Sequence, residues 1–504
     1  MSKYYLYAAA VQGIQDFIFK TNELRHIVGA SELVEQICTS AFDDYAKGKK
    51  SVVRAAGNIK HIFETEEACK RAFREFPRKI MIMAPGITVS QAVAEYDDSV
   101  KDGFSKAIDE VEKKLKVQRN KPPKSVLSGL MGIKRANNTG LPVTGAKDEK
   151  GKTLFLDDAT SAKLAQNDNL VWKLCKKSFG LTELKHGQLA YDISDIKGKN
   201  DWIAIIHADG NGLGKVVQKV GKDKKIFREF SKELDIATTL AAKAAYEAVK
   251  GKFDKTKKIP IRPVVLSGDD MTVIIRGDLA IEYAKVFIKE FEEKTKELLG
   301  AILNGNEVFA DGKDYLTACA GIAFIKSSYP FYYGYQLAEE LCGQAKKDTK
   351  ALVGENDLPA SCLMFHKVQD SFITRYEDIV DRELTVPADT PSDKEHFKGY
   401  PLFKAGPYYT SPQDGRYTID DLEKYSHSLD GEDGNGVRSG IRNWITLRLE
   451  GKGQAEQRKQ RMAKIFSVTD KATINLLTKE DHKTCIAYDV LAYHTIMNQE
   501  TNNQ

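Results

Sequence analysis

The sequence predicts an α+β protein in which one order of elements, β-α-β-β-α-β, occurs twice. Three observations predict it. Residues 1–119 and 201–368 each alternate short β-branched runs with helical apolar faces in that order. A stretch rich in Lys, Gly, Asn and Asp, 120–200, lies between them and reads as an insertion. Past residue 369, Pro387, Pro391, Pro401, Pro407 and Pro412 break the periodicity, and two helical patterns point to a small α-rich domain over 369–504. The repeated order is the split-βαβ, or ferredoxin-like, plan.

In the first unit, Tyr4 to Val11 is an apolar β-like run. A helix follows, with Leu24, Ile27, Val28, Leu33, Val34 and Ile37 on one face. Ser51 to Ala55 and Ile59 to Phe63 are short strands joined through Ala56-Gly57-Asn58. A charged helix is expected from about Glu64 to Phe76, then a strand over Lys79 to Pro85. A last helix is expected to put Val100, Phe104, Ala107, Ile108, Val111 and Leu115 on one face.

The second unit repeats this plan. Trp202 to His207 is a strand and Leu234 to Val249 an Ala-rich helix. Ile261 to Leu266 and Met271 to Ile275 flank Ser267-Gly268-Asp269-Asp270 as a hairpin. Leu279 to Leu299 is a helix, Leu316 to Phe324 a strand, and Tyr333 to Lys347 a helix. The repeat is architectural, with little identity letter by letter. Where the second unit has Ser267-Gly268-Asp269-Asp270, the first has Ala55-Ala56-Gly57-Asn58. Asp209 is expected to correspond to Gln12-Gly13. In the last domain, Gly431 to Gly440 reads as a loop, and helices are expected near Ile441 to Leu449 and Ala455 to Phe466. The second of these carries Arg458, Lys459, Arg461 and Lys464.

Composition narrows the function. A chain of 504 residues suggests about three or four domains. A net charge of +5 from 76 basic and 71 acidic residues argues against indiscriminate coating of nucleic acid. Seven cysteines with no Cys-x-x-Cys pair indicate neither a zinc ribbon nor a disulfide framework. The start has no secretory pattern, and no run approaches the roughly 18 apolar residues of a membrane span. The expected setting is a reducing cytoplasm.

The chemistry concentrates in two acidic turns. Ile205-Ile206-His207-Ala208-Asp209-Gly210-Asn211-Gly212 ends an apolar strand in an acid, and sixty positions later Gly268-Asp269-Asp270 tips a hairpin. Gly and Asp are also ordinary turn residues. In a split-βαβ unit, however, the first strand and the hairpin are neighbours, so three carboxylates converge on one sheet edge. Crowded carboxylates repel, and divalent cations relieve that repulsion, as two Mg²⁺ ions do in nucleotidyl transfer. Asp209 and Asp269 are the expected metal ligands, with the Gly210 carbonyl a third. Asp270 is either a ligand or an outer acid that orients the attacking hydroxyl. Gly210, Asn211, Gly212 and Gly214, with Ser267 and Gly268, let backbone approach a triphosphate. One of Lys215, Lys346 and Lys347 could neutralise phosphate charge. His207 reads as a core or supporting residue.

These residues resemble a known family. Asp209-Gly210-Asn211-Gly212-Leu213-Gly214 and Ser267-Gly268-Asp269-Asp270 are similar to the Asp-Gly-Asp-Asn-x-Gly and Gly-Gly-Asp-Asp signatures of the large Palm-domain subunit of type III CRISPR effector complexes. Gly13-Ile14-Gln15-Asp16-Phe17-Ile18-Phe19, Leu24-Arg25 and Gly29-Ala30-Ser31 resemble that family's first Palm. Tyr329-Pro330, Ala338-Glu339-Glu340-Leu341 and Ala345-Lys346 resemble the end of its second.

The resemblance implies a degenerate first Palm and a catalytic second Palm that together hold two ATP molecules. It implies Mg²⁺ or Mn²⁺, a cyclic oligoadenylate product, and pyrophosphate release as a 3′-hydroxyl attacks an α-phosphate. It also implies guide and target RNA and other effector subunits as partners, in a prokaryotic cytoplasm. Departures are visible. Palm-like sequence begins at residue 4, so no HD nuclease domain and no DNase activity are expected. The insertion lacks the family's paired zinc cysteines, so no zinc is expected. Ser267 replaces the first Gly and Asn211 the second acid. A catalytically silent RNA-binding scaffold, or a cyclic di- or mononucleotide cyclase, are the competing readings at this point.

Overall fold

The computed structural model describes residues 3–46, 51–55, 57–120, 132–149, 151–166, 168–184, 186–254, 257–370, 375–388, 399–430, 434–466, 468–481 and 483–498. Pro391 and Gly431 of the expected C-terminal loops lie outside them.

The first unit comprises β1 (Lys3–Gln12), α1 (Ile14–Phe19), α2 (Leu24–Cys38), β2 (Ser51–Ala55), β3 (Asn58–Phe63), α3 (Glu66–Met83), β4 (Thr88–Asp97) and α4 (Gly103–Arg119). Its antiparallel sheet has the order β2-β3-β1-β4. The element order is the expected one, but the last strand is not over Lys79 to Pro85. Those residues to Met83 extend α3, and Met81 and Ile82 are 67% and 72% exposed. β4 begins five residues later. It buries Ser90, Ala92, Ala94 and Tyr96, a face too small in volume to stand out as an apolar run. Val100 falls in the turn before α4 and is exposed.

The insertion folds as a hairpin, β5 (Gly145–Glu149) and β6 (Lys152–Leu156), followed by α5 (Asp158–Leu164) and α6 (Asp168–Phe179). Asp157 caps α5 by accepting from the Thr160 N–H. These helices wedge between the two units. Lys163 Nζ donates to the Phe17 carbonyl at 2.6 Å, and Lys177 Nζ contacts Asp235 at 2.9 Å and the Leu266 carbonyl at 3.2 Å.

The second unit holds β7 (Trp202–Gly210), α7 (Leu213–Val220), α8 (Lys224–Val249), β8 (Ile261–Ser267), β9 (Asp270–Arg276), α9 (Ala280–Gly305), β10 (Ala318–Lys326), α10 (Phe331–Ala351) and β11 (Cys362–Lys367). Beyond it come α11 (Tyr376–Ile379), β12 (Tyr408–Tyr409), α12 (Ile419–His427), α13 (Gly434–Glu450), α14 (Lys452–Ile465), α15 (Val468–Leu477) and α16 (Ala487–Met497). The second sheet runs β12-β11-β10-β7-β9-β8. Its last four strands repeat the first sheet's order of last, first, third and second. β11 extends that edge parallel to β10. β7 is central and wholly apolar on both faces until its end, as a strand covered by helices on one side and the seam between units on the other should be. Residues 434–440 correct the expected loop: they are the first turns of α13. Their glycines serve helix packing, because a Cβ on Gly440 would meet Met462 Sδ of α14 at 2.6 Å. Among the described residues no helix is long and apolar enough to cross a membrane.

Candidate active site

The sheet register brings the acids together. β7 pairs antiparallel with β9, Ala208 opposite Met271, so Asp209 lies beside Asp270 at the same edge. Ser267 pairs with Asp270, which leaves Gly268-Asp269 as a two-residue turn. Gly268 supplies the positive φ, 65°, that such a turn requires at its first position. Thr238 of α8 fixes the turn by donating to the Gly268 carbonyl at 2.5 Å. The Asp269 carboxylate lies flat against Gly210, where a Cβ would meet its Oδ2 at 2.8 Å.

Electrostatics at this edge are those of a crowded acid cluster. Burial, then the charge of Asp209 and of Asp270, holds Asp269 well above the usual carboxylate range, and a hydrogen bond shared with Asp209 adds to the shift. Asp270 is pushed up to about 8 by burial first, then by Asp209 and Glu339. Its Oδ1 is buried without a hydrogen-bond partner, 3.5 Å from His207 Nδ1. His207 itself lies 3.2 Å from Thr272 Oγ1, and burial lowers its pKa, so it stands beside Asp270 as a neutral ring.

One lysine answers the acids. Lys346 Nζ of α10 donates to Asp209 Oδ2 at 2.5 Å and to the Gly210 carbonyl at 2.8 Å. Burial works against its charge, and Asp209 outweighs burial to raise its pKa. The other two expected lysines are not brought to this point. Lys347 is exposed, about 100° further round the helix. Lys215 lies in the first turn of α7 with no contact to the acids among the described residues. Asn211, expected at the nucleotide, is 1% exposed. Its amide donates to Thr317 Oγ1 at 3.1 Å and Cys319 Sγ at 3.3 Å, and it fastens the loop to β10. Gly212 holds φ 76° at the start of α7, and Gly214 lies in that helix's first turn.

Among the described residues no group of three or more His, Cys, Asp or Glu side chains is arranged to hold a metal ion. The oxygens present are instead two carboxylates, Asp209 and Asp269, and the Gly210 carbonyl. Mg²⁺ is commonly bound through one or two carboxylates plus substrate phosphates and water, so this hard-oxygen set fits it. The ammonium of Lys346 already occupies the place of a cation between two of those oxygens.

Sequence reasoning missed the seam. A cavity of about 120 Å³ lies between the units, lined by Gln15, Ser31 and Gly57 from the first and by Ser267, Asp270 and Tyr335 from the second. Tyr335 stacks on Phe19 of α1, centroids 4.2 Å apart, and meets His207 edge-on at 5.7 Å. Ser31 donates to the Val264 carbonyl across the seam. Tyr335 lies on the buried stripe of α10 with Phe331, Ala338 and Cys342, so its spacing marks it as core and not as part of a site. The cavity is smaller than the about 300–1,000 Å³ of small-molecule clefts, so it admits part of a nucleotide unless the seam opens.

The split-βαβ plan occurs twice, and only the second sheet carries carboxylates in its hairpin turn. Residues 202–353 match the family model described as Cas10/Cmr2, second palm domain. The likeness to that family's second palm domain thus lies in the second unit. The whole chain resembles solved structures of the Csm1-Csm4 cassette at fold level. In complex with cA4 the TM-score is 0.55 at 13% identity, covering 99% of this chain and 70% of that chain. With pppApA it is 0.55 at 13%, covering 98% and 69%. The apo cassette gives 0.53 at 14%, covering 99% and 70%. No curated protein matches the chain.

Proposed function

We propose that the chain is an Mg²⁺- or Mn²⁺-dependent nucleotidyltransferase that joins ATP into a cyclic oligoadenylate as a subunit of a type III CRISPR complex. The observation that carries this reading is the meeting of Asp209, Asp269 and the Gly210 carbonyl at Lys346, beside a seam lined by both Palms. Support also comes from the structural relatives, whose cassette was solved with ATP, pppApA and cA4. In this reading residues 1–119 are the first Palm, 120–200 the insertion, 201–368 the catalytic Palm and 369–504 the α-rich domain. Guide RNA, target RNA and other effector subunits are its partners, in the cytoplasm.

The roles follow from position. Asp209, Asp269 and Gly210 would hold the metal, which when bound supplies charge for the triphosphate and acidifies the attacking hydroxyl. With those oxygens held by a cation, Lys346 would be free to neutralise β- or γ-phosphate charge. Asp270 lines the seam cavity and, once a bound cation draws off its proton, its carboxylate would be placed to accept the proton of a 3′-hydroxyl. Gly214 leaves open space for phosphate oxygens, whereas the space beside Gly212 is filled by Phe309. The test is pyrophosphate release from ATP with Mg²⁺ or Mn²⁺, with and without target RNA, and mass spectrometry of the product. Release undiminished in Asp269→Ala/Asp270→Ala would end the proposal, and a dinucleotide or mononucleotide product would change its chemistry.

A further inference from the structure

A second polar cavity lies at the other end of the second sheet. It has a volume of about 420 Å³ and is walled by the end of β11, the 380–384 turn, α13 and α16. Lys367 of β11 pairs with Phe324 of β10, five residues from Cys319, the partner of Asp209. At about 3.3 Å per residue that is about 17 Å along the strand. The cavity is therefore separate from the Palm acids.

Three cations face it, and the acids nearby are already taken. Arg382 Nη1 lies 3.1 Å from Asp370 Oδ2 and its Nη2 3.5 Å from Glu383 Oε1. Glu383 also accepts from the Tyr488 hydroxyl at 2.8 Å, and Tyr488 in turn accepts from Gln369 Nε2 at 2.8 Å. Lys367 and Arg442 have no carboxylate partner among the described residues. Lys367 instead lies 5.2 Å over the Trp202 ring, which it shares with Lys326 at 4.1 Å. Burial, then Arg442 and Lys326, pushes the Lys367 amine down to about 8. Holding like charges together in a partly desolvated cavity is costly unless an anion enters. The planar fork of Arg442 and the point charge of Lys367 suit the oxygens of a phosphate ester. Ile445, Leu449 and Leu491 give the same cavity an apolar wall for a ribose or base.

We infer that this cavity binds a phosphate ester, held by Lys367 and Arg442. The inference does not rest on nucleotidyl transfer at the Palm acids. Two sources share this chemistry, the backbone of an RNA strand and a free mononucleotide, and one experiment separates them. Binding of a short fluorescein-labelled single-stranded RNA is followed by anisotropy across a salt series. AMP is titrated in a parallel thermal-shift assay. Wild type, Arg442→Gln and Lys367→Gln are compared. Arg442 is exposed on α13, so Arg442→Gln is expected to fold even if Lys367→Gln, at a half-buried position, does not.

If the source is RNA, each variant binds several-fold more weakly and its log–log salt slope falls by about one. If it is a mononucleotide, RNA binding is unchanged while the AMP-induced rise in Tm shrinks in Arg442→Gln. Pyrophosphate release from ATP without RNA stays at the wild-type rate in either case. Wild-type RNA affinity, salt slope and AMP response in Arg442→Gln would overturn the inference, as would no binding of either probe by the wild type.

Discussion

Strand register aligns the two sheets residue by residue. In the first, Ala10 of β1 sits opposite Asn58 of β3. In the second, Ala208 opposite Met271 puts Asp209 opposite Asp270. Both connections then enter a helix through a left-handed glycine, Gly13 and Gly212, three residues on. Asp209 therefore corresponds to Ala10, and not to Gln12-Gly13 as the sequence had suggested. At the hairpins, Ala55 pairs with Asn58 and Ser267 with Asp270. Asp270 thus matches Asn58, and Asp269 matches Gly57. The last match is the instructive one. Gly57 has φ 75°, whereas in the other hairpin the left-handed residue is Gly268, one position earlier. Moving the left-handed residue back by one frees the next position to carry a carboxylate. A turn glycine alone says only that a hairpin exists, and its place within the turn says whether an acid can follow.

The largest expected effect breaks that asymmetry from the active side. Asp269→Ala/Asp270→Ala should lower pyrophosphate release from ATP by about 10³-fold or more, on the scale of losing preorganised charge at a reacting centre. Asn58→Ala, the first-sheet counterpart, should leave it within about threefold, since no metal ligand is removed. Equal losses in the two would show that both Palms are catalytic. Next comes Lys346→Met. In chelator it leaves Asp209 and Gly210 without their cation. Because the Asp209 side chain is 39% exposed, solvent screens part of the loss, and chemical denaturation should show about 1–2 kcal/mol. Mg²⁺ should recover most of that stability but not the KM for ATP.

How much of this could be read from the chain differs between the sheets for a physical reason. The second sheet buries Ile203, Ile205, Val264, Leu266, Val273 and Ile275, so its strands stand out as β-branched runs. The acids at their ends were legible because neighbouring strands of a split-βαβ unit must bring them together. β4 hid because its buried face is Ser90, Ala92 and Ala94, while the exposed Met81 and Ile82 of α3 imitated a strand. β11 hid because Cys362 to Phe365, although it follows the turn residues Asn356, Asp357 and Pro359, is too short an apolar run to be told from a buried helix segment. Lys346, Lys215 and Lys347 were indistinguishable, since only the packing of α10 on β10 selects Lys346. Asn211 was expected at the nucleotide because it stands among the loop glycines, yet its amide is spent on Thr317 and Cys319.

Two further substitutions sharpen the comparison at lower cost. Gly57→Asp would place an acid at the position of Asp269, but in a left-handed backbone and against Ile14 Cδ1, which a Cβ would meet at 2.5 Å. It should destabilise by about 1–2 kcal/mol and create no second site. Gly268→Ala should cost a similar amount for the same backbone reason, yet should also slow pyrophosphate release, because it moves Asp269. If Gly57→Asp were neutral to stability and raised activity, the first Palm would be one residue from competence rather than barred by its turn.

The smallest effect is on pH dependence in chelator. The folded pKa of Asp270, about 8, lies above the ordinary 3.8, so between these values the folded state holds more proton than the unfolded one. Stability contributed by keeping Asp270 neutral is therefore complete at low pH and lost as pH rises toward 8. Metal-free protein should show Tm falling by a few degrees from pH 5 to pH 8. Asp270→Asn should shrink the fall to the part due to Asp269, and Mg²⁺ in the wild type should shrink it too, while Asn58→Ala in the first sheet should leave it unchanged. A fall undiminished in Asp269→Asn/Asp270→Asn would place the titrating group elsewhere and remove the electrostatic distinction between the two turns.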